Sequence, residues 1–136
     1  PNAHTLAERI DAVEDADGHD SSAGYDHNFV INTGGIQGNP STLVECATMY
    51  DPRSGRGMSI HTNAPGVQLY SANFIDGVVG KGGVEYANRD GFALETQAFP
   101  NSINTPNFPS VVVEPGSLYL HTMVLQFSAD NAAAKL

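Results

Sequence analysis

Cysteine and tryptophan are almost absent from this chain: its 136 residues contain one Cys and no Trp. A single thiol excludes an internal disulfide and a cysteine-rich metal site. Cys46 lies in an apolar run at residues 43–50, where a buried and unreactive thiol is expected. Such a thiol is compatible with a reducing compartment.

Basic residues are also scarce, with six Lys and Arg against fifteen Asp and Glu, which gives a formal net charge of −9. Nucleic acids and anionic membranes are bound through clusters of Lys and Arg. The sequence therefore predicts no nucleic-acid partner and no membrane partner. It also disfavours a phosphorylated substrate, so neutral ligands fit this composition best.

Long hydrophobic runs are missing as well. No stretch reaches the length of a membrane span, and the first residues lack the basic-then-apolar pattern of a signal peptide. On these grounds we expect a cytoplasmic protein.

Turn-forming residues, by contrast, are abundant, with 14 Gly and 8 Pro between short apolar runs. This pattern is typical of an all-β protein, here predicted as one domain over residues 1–136. A hairpin turn is predicted at residues 51–55, and Thr5 with Glu8 matches a capping box ahead of a helical turn. The predicted strands lie at residues 28–31, 43–50, 58–62, 67–73, 92–97, 111–113 and 119–127.

One carboxylate lies inside an apolar run: Glu95, within residues 91–100. Burial of an unpaired carboxylate is costly, so such a group holds a proton more tightly or finds donors. A glutamate in that situation suits a general base working near neutral pH. The competing interpretation is a glutamate on an edge strand that faces solvent.

Two further segments place polar groups beside aromatic residues: GYDHNF at 24–29 contains Asp26, and PGVQLYSANF at 65–74 contains Gln68 and Asn73. Amides and carboxylates form hydrogen bonds with sugar hydroxyls, while aromatic faces cover the C–H patches of a sugar. The alternatives are a turn or strand cap for Asp26 and a satisfied structural amide for Gln68.

The five histidines are not arranged as metal ligands, since none is paired at ligand spacing, and we therefore expect no metal site. His27 follows Asp26 and should point to the opposite face of its strand. It is interpreted as a structural histidine that is hydrogen-bonded.

In their order along the chain, these motifs resemble the C-terminal part of the aldose 1-epimerase (galactose mutarotase) family. The matching stretches are GYDHNF, the segment SGR at 54–56, PGVQLY, LETQ at 94–97 and NFPS at 107–110. The resemblance implies a β-sandwich of the galactose mutarotase-like type, and an isomerase that interconverts the α and β anomers of free aldohexoses without a cofactor. It also implies that Glu95 takes the proton from the C1 hydroxyl and that Asp26 and Gln68 bind sugar hydroxyls.

The same resemblance implies that the family's N-terminal half is lacking, and with it the histidine that acts as general acid. Two departures from the family pattern are Asn101, where Asp is usual, and Thr105, where His is common. The alternative function is therefore a non-catalytic carbohydrate-binding or partial domain. The expected partners are an aldohexose and either a second copy of the chain or a missing N-terminal half. A hexose-6-phosphate epimerase is a third and weaker option.

Overall fold

A computed structural model describes residues 3–13, 24–32 and 42–129 of the chain. The described part is built from short β-strands and single turns of 3-10 helix, which confirms the predicted all-β class. The 3-10 turns span Leu6–Glu8, Ile10–Ala12, Lys81–Gly83 and Ser102–Asn104. The strands are β1 (Asp26–Val30), β2 (Val44–Asp51), β3 (Arg56–Thr62), β4 (Gly66–Tyr70), β5 (Val78–Val79), β6 (Glu85–Tyr86), β7 (Ala93–Gln97) and β8 (Met123–Ala129).

These strands form three sheets, with the orders β1-β4-β7, β2-β3-β8 and β5-β6. The pairs β2–β3, β3–β8 and β5–β6 are antiparallel. Antiparallel sheets of this kind are consistent with the predicted β-sandwich of the mutarotase type. No helix in the described ranges is both long enough and apolar enough to span a membrane.

The chain divides into two compact units. The first comprises Pro1–Phe29 and Gln68–Glu95, and the second comprises Val30–Val67 and Thr96–Leu136. The first unit therefore carries Asp26, Gln68 and Glu95 together with the β5–β6 hairpin. The second unit carries β2, β3 and β8.

The predicted hairpin turn is confirmed between β2 and β3, where Asp51 pairs with Arg56. Gly55 closes the turn at a φ of 69°, and its N–H donates to the Asp51 carbonyl at 2.8 Å. Only glycine adopts this left-handed conformation without a steric cost. Hydrogen bonds from the Ser54 hydroxyl and the Arg53 N–H lower the pKa of the Asp51 carboxyl, so the carboxylate that caps the turn stays ionised.

The core of the second unit lies at the end of β3, where Ile60 and Thr62 are each 1% exposed. The Thr62 hydroxyl is satisfied because it donates to the Thr122 carbonyl at 3.0 Å. Asn63 fixes the same junction: its amide nitrogen donates to the Leu120 carbonyl, and its amide oxygen accepts from the Thr122 N–H. These contacts hold the segment that enters β8 against the end of β3.

Three predictions about local structure are wrong. Thr5 precedes a 3-10 turn, as its position suggests, but its side chain makes no capping hydrogen bond. Residues 111–113 form no strand, although Val is a good strand former, because an apolar triplet also needs a partner strand. Strand β8 begins at Met123 rather than at residue 119, and all seven of its residues are exposed.

Burial raises the pKa of the Cys46 thiol, which is half-buried in β2. Desolvation disfavours the thiolate, and the neighbouring Glu45 carboxylate acts in the same direction. A backbone hydrogen bond opposes both effects. The thiol is therefore a poor nucleophile, as the sequence predicted, although it is less buried than expected.

Candidate functional site

The structure joins two of the predicted site residues directly. The Gln68 amide nitrogen on β4 donates to a carboxylate oxygen of Asp26 on β1 at 2.7 Å. Both side chains are half-buried, so they remain accessible to a small ligand. This hydrogen bond agrees with the alternative interpretation, in which Gln68 is an amide with a satisfied hydrogen bond. The role of Gln68 in sugar binding stays a prediction.

The backbone beside Asp26 explains why these two side chains meet. The Ser71 N–H donates to the Tyr25 carbonyl at 2.9 Å. Tyr25, just before β1, thus pairs with Ser71, just after β4. Asp26, the next residue after Tyr25, contacts Gln68, which lies three residues before Ser71. The two strand segments therefore run in opposite directions, and cross-strand neighbours on one face of such a pair lie within side-chain reach.

His27 occupies the structural role that the sequence assigned to it. Its ring nitrogen Nδ1 accepts a hydrogen bond from the Asp26 N–H at 3.1 Å. Because an imidazole nitrogen that accepts cannot also carry a proton, this contact requires the tautomer with its proton on Nε2. The histidine next to Asp26 is therefore an acceptor for the backbone.

Glu95 lies on β7, the strand next to β4 in the sheet. Its neighbour Thr96 is buried, whereas Glu95 itself is exposed, in agreement with the alternation of a strand. The expectation that this carboxylate is buried is wrong, and the solvent-facing interpretation describes its environment correctly. The physical reason is that the Glu95 side chain points to the face of β7 opposite to that of buried Thr96, and that face is open to solvent. Its catalytic role stays a prediction.

Two further histidines, His61 and His121, have other partners. His121 Nε2 lies 2.9 Å from the Thr96 hydroxyl. His61 Nε2 lies 3.7 Å from a Glu45 carboxylate oxygen, opposite it in the β2–β3 register. Over the described ranges, no cluster of three or more His, Cys, Asp or Glu residues could hold a metal ion.

Sequence reasoning assigned no role to two polar residues near this site. Ser71 and Asn73, which follow β4, bind the backbone of Tyr25 through their side chains. The sequence does hold a signal for them, since Gly24 stands directly before Tyr25 and a glycine often marks the close approach of another group. The sequence alone does not show which group approaches.

A carboxylate and an amide held together on neighbouring strands suit a polyhydroxylated ligand, and the Glu95 carboxylate lies on the third strand of the same sheet. Comparison with known proteins agrees with this chemistry. The family model for aldose 1-epimerase matches residues 4–126. The chain therefore belongs to the aldose 1-epimerase family.

Individual relatives show the same relationship. The chain is similar to galactose mutarotase from Bos taurus and from Homo sapiens, each 42% identical over 106 residues. It is also similar to aldose 1-epimerase from Escherichia coli strain K12, at 32% identity over 109 residues. The first two alignments cover 77% of this chain and 29% of the relative, and the third covers 79% and 30%. The chain thus spans less than a third of the length of these relatives.

Proposed function

We propose that this chain carries the catalytic base and part of the sugar-binding site of an aldose 1-epimerase that interconverts the α and β anomers of free hexoses such as glucose and galactose. The observation that carries the proposal is the 2.7 Å hydrogen bond between Gln68 and Asp26, on two strands of the sheet whose third strand, β7, bears Glu95. Membership of the family supports the reaction type.

Asp26 and Gln68 have the role of binding and orienting the sugar. A carboxylate oxygen accepts hydrogen bonds from hydroxyl groups, and an amide both donates and accepts. Their mutual hydrogen bond fixes both side chains before the ligand arrives, which reduces the entropy lost on binding.

Glu95 has the role of general base. It removes the proton from the C1 hydroxyl while the bond between C1 and the ring oxygen breaks, and C1 becomes an aldehyde. The ring oxygen must gain a proton in the same process, so a separate acid is needed. Rotation of the aldehyde, followed by closure with both proton transfers reversed, gives the other anomer. Since the Glu95 side chain is exposed, it is accessible to a sugar in the site.

A second function is a non-catalytic sugar-binding or partial domain that requires a missing N-terminal half to supply the acid. The observation that favours it is the coverage of the relatives, at 29% of their length. In that case the chain binds an aldohexose without accelerating its mutarotation, and its partner is a chain that supplies the rest of the site.

Polarimetry of freshly dissolved α-D-glucose and α-D-galactose separates these functions. The proposed enzyme accelerates mutarotation, and Glu95→Gln should lower its rate by about 100-fold or more because the proton acceptor is lost. Glu114→Gln is a matched control, since it makes the same substitution at another exposed glutamate outside the site.

A Glu95→Gln variant with full activity would rule out Glu95 as the base. If the wild-type chain gives no acceleration but binds galactose in a calorimetric titration, the non-catalytic function is the correct one. If it neither accelerates mutarotation nor binds sugar, both proposals for the chain are wrong.

A further inference from the structure

We infer that Ser71 and Asn73 are positioning residues, which clamp the peptide unit before Asp26 and so hold its carboxylate in place for Gln68. The inference concerns the geometry of the Asp26–Gln68 pair, and its consequence for sugar binding rests on the proposed function. All of the groups involved belong to the first unit of the chain.

The clamp acts on both backbone groups of Tyr25. Its N–H donates to the Ser71 hydroxyl oxygen at 2.9 Å, and its carbonyl accepts from the Asn73 amide nitrogen at 2.9 Å. The same carbonyl also accepts from the Ser71 N–H at 2.9 Å. Tyr25 and Ser71 are 8% and 2% exposed, so water does not readily substitute for these contacts.

The hydrogen bonds determine the orientation of Asn73. The Ser71 hydroxyl has one proton, and two acceptors lie near it: the Asn73 amide oxygen at 2.6 Å and the Tyr25 carbonyl at 3.3 Å. The shorter contact takes the proton. The Tyr25 carbonyl can only accept, so the Asn73 nitrogen faces that carbonyl and the Asn73 oxygen faces Ser71. An amide satisfies both neighbours, whereas a carboxylate would place an acceptor against the carbonyl.

The backbone conformations of Ala72 and Gly24 allow Ser71 and Asn73 to contact Tyr25. Ala72, between the two clamp residues, has a φ of 55°, and its carbonyl accepts from the Arg89 N–H at 3.0 Å. This left-handed conformation is uncommon for alanine. It turns the chain so that the side chains of Ser71 and Asn73 both reach Tyr25. On the other side, Gly24 has a φ of 76°, and a β-carbon there would overlap the Asn73 amide oxygen and lie 2.9 Å from the Ser71 oxygen.

The clamp and the sugar-binding amide are therefore close together in the sequence. Gln68 holds the Asp26 side chain, and Ser71 and Asn73, three and five residues later, hold the peptide before it. Strand β4 and the turn after it thus fix both the side chain and the backbone of the carboxylate. Asp26 is predicted to shift away from Gln68 when the clamp is removed.

The test uses Asn73→Asp, which keeps the shape of the side chain and removes the donor to Tyr25. Two quantities are measured on the full chain: the chemical shift of the Gln68 side-chain NH₂ group by ¹⁵N NMR, and the affinity for D-galactose. Asn107→Asp is the matched control, because it makes the same change at an exposed site in the other unit. Asp26→Asn provides the reference shift for a weakened Asp26–Gln68 contact.

We expect Asn73→Asp to move the Gln68 resonance in the same direction as Asp26→Asn, and to weaken galactose binding by about tenfold, comparable to the loss of one hydrogen bond. Asn107→Asp should change neither quantity. Ser71→Ala provides a second variant that removes the hydroxyl while keeping the backbone pairing with Tyr25, and it should give the same two effects. Ser71→Thr, which keeps a hydroxyl, should restore the wild-type resonance.

A Gln68 resonance that is unchanged in Asn73→Asp and Ser71→Ala would overturn the inference, even if both variants melt at a lower temperature. Galactose affinity that is unchanged while the resonance moves would overturn its consequence for binding. If the wild-type chain binds no galactose, the proposed function fails, and the Gln68 resonance alone still decides whether the clamp positions Asp26.

Discussion

The contact between Asp26 and Gln68 is a hydrogen bond from a neutral amide to a carboxyl oxygen, and it is not an ion pair. The amide donates one proton to one oxygen of the carboxylate, at 2.7 Å. A carboxylate has about four acceptor positions, so a single such bond leaves it able to accept further hydrogen bonds from ligand hydroxyls. The amide thus orients the carboxylate, as the proposed sugar site requires.

Replacement of Gln68 by Glu tests this description, because it puts a second carboxylate where the donor was. At pH 7 the two like charges repel each other and the hydrogen bond is lost, so the free energy of unfolding should fall by about 1–3 kcal/mol.

Urea denaturation at pH 7 measures this loss of stability. Gln126→Glu, the same substitution on the exposed strand β8, is the control and should change stability little. Equal stability of Gln68→Glu and the wild-type chain at pH 7 would contradict the account of the pair.

The β2–β3 hairpin shows how far local sequence determines an element. Its turn was predicted from Asp, Pro, Ser and Gly between two apolar runs, and the register from Asp51–Arg56 to Val44–Thr62 agrees. The β5–β6 hairpin escaped prediction because its strands have only two residues each, too few to show any periodicity. Residues 111–113 show the opposite failure, an apolar triplet without strand pairing.

Gly55→Ala should destabilise the hairpin, because alanine at a φ of 69° clashes with its own backbone. We expect the free energy of unfolding to fall by about 1–2 kcal/mol. Chemical denaturation of the variant measures this loss. Gly91→Ala is the control, since a β-carbon there meets nothing within 4 Å. A loss of equal size in both variants would show that the turn geometry is not its cause.

For the whole molecule, net charge and exposed apolar surface have opposite effects on self-association. The net charge of −9 disfavours self-association through general repulsion. Strand β8, however, exposes four large apolar side chains and is the outer strand of its described sheet: Met123, Val124, Leu125 and Phe127. An apolar outer strand is a template for pairing with another strand.

We expect the isolated chain to associate with itself through β8, and to do so more strongly at high salt, where the repulsion is screened. Leu125→Lys should weaken this association because it places a charge in the strand. Leu118→Lys is the control, at a residue that is 87% exposed and outside any strand. Sedimentation velocity over a range of concentrations makes the measurement, and a wild-type chain that stays monomeric throughout would contradict the expectation.

The all-β class, the β2–β3 hairpin and the family could be predicted from the sequence alone, because turn residues, apolar runs and ordered motifs are local properties of the chain. The environment of the site depends instead on contacts between distant segments. Glu95 is exposed because its face of β7 is open to solvent, which the residue pattern of that strand does not encode. Likewise, Ser71 and Asn73 meet Tyr25 across 46 and 48 residues of chain. Contacts between such distant residues depend on strand pairing, which a single sequence does not specify.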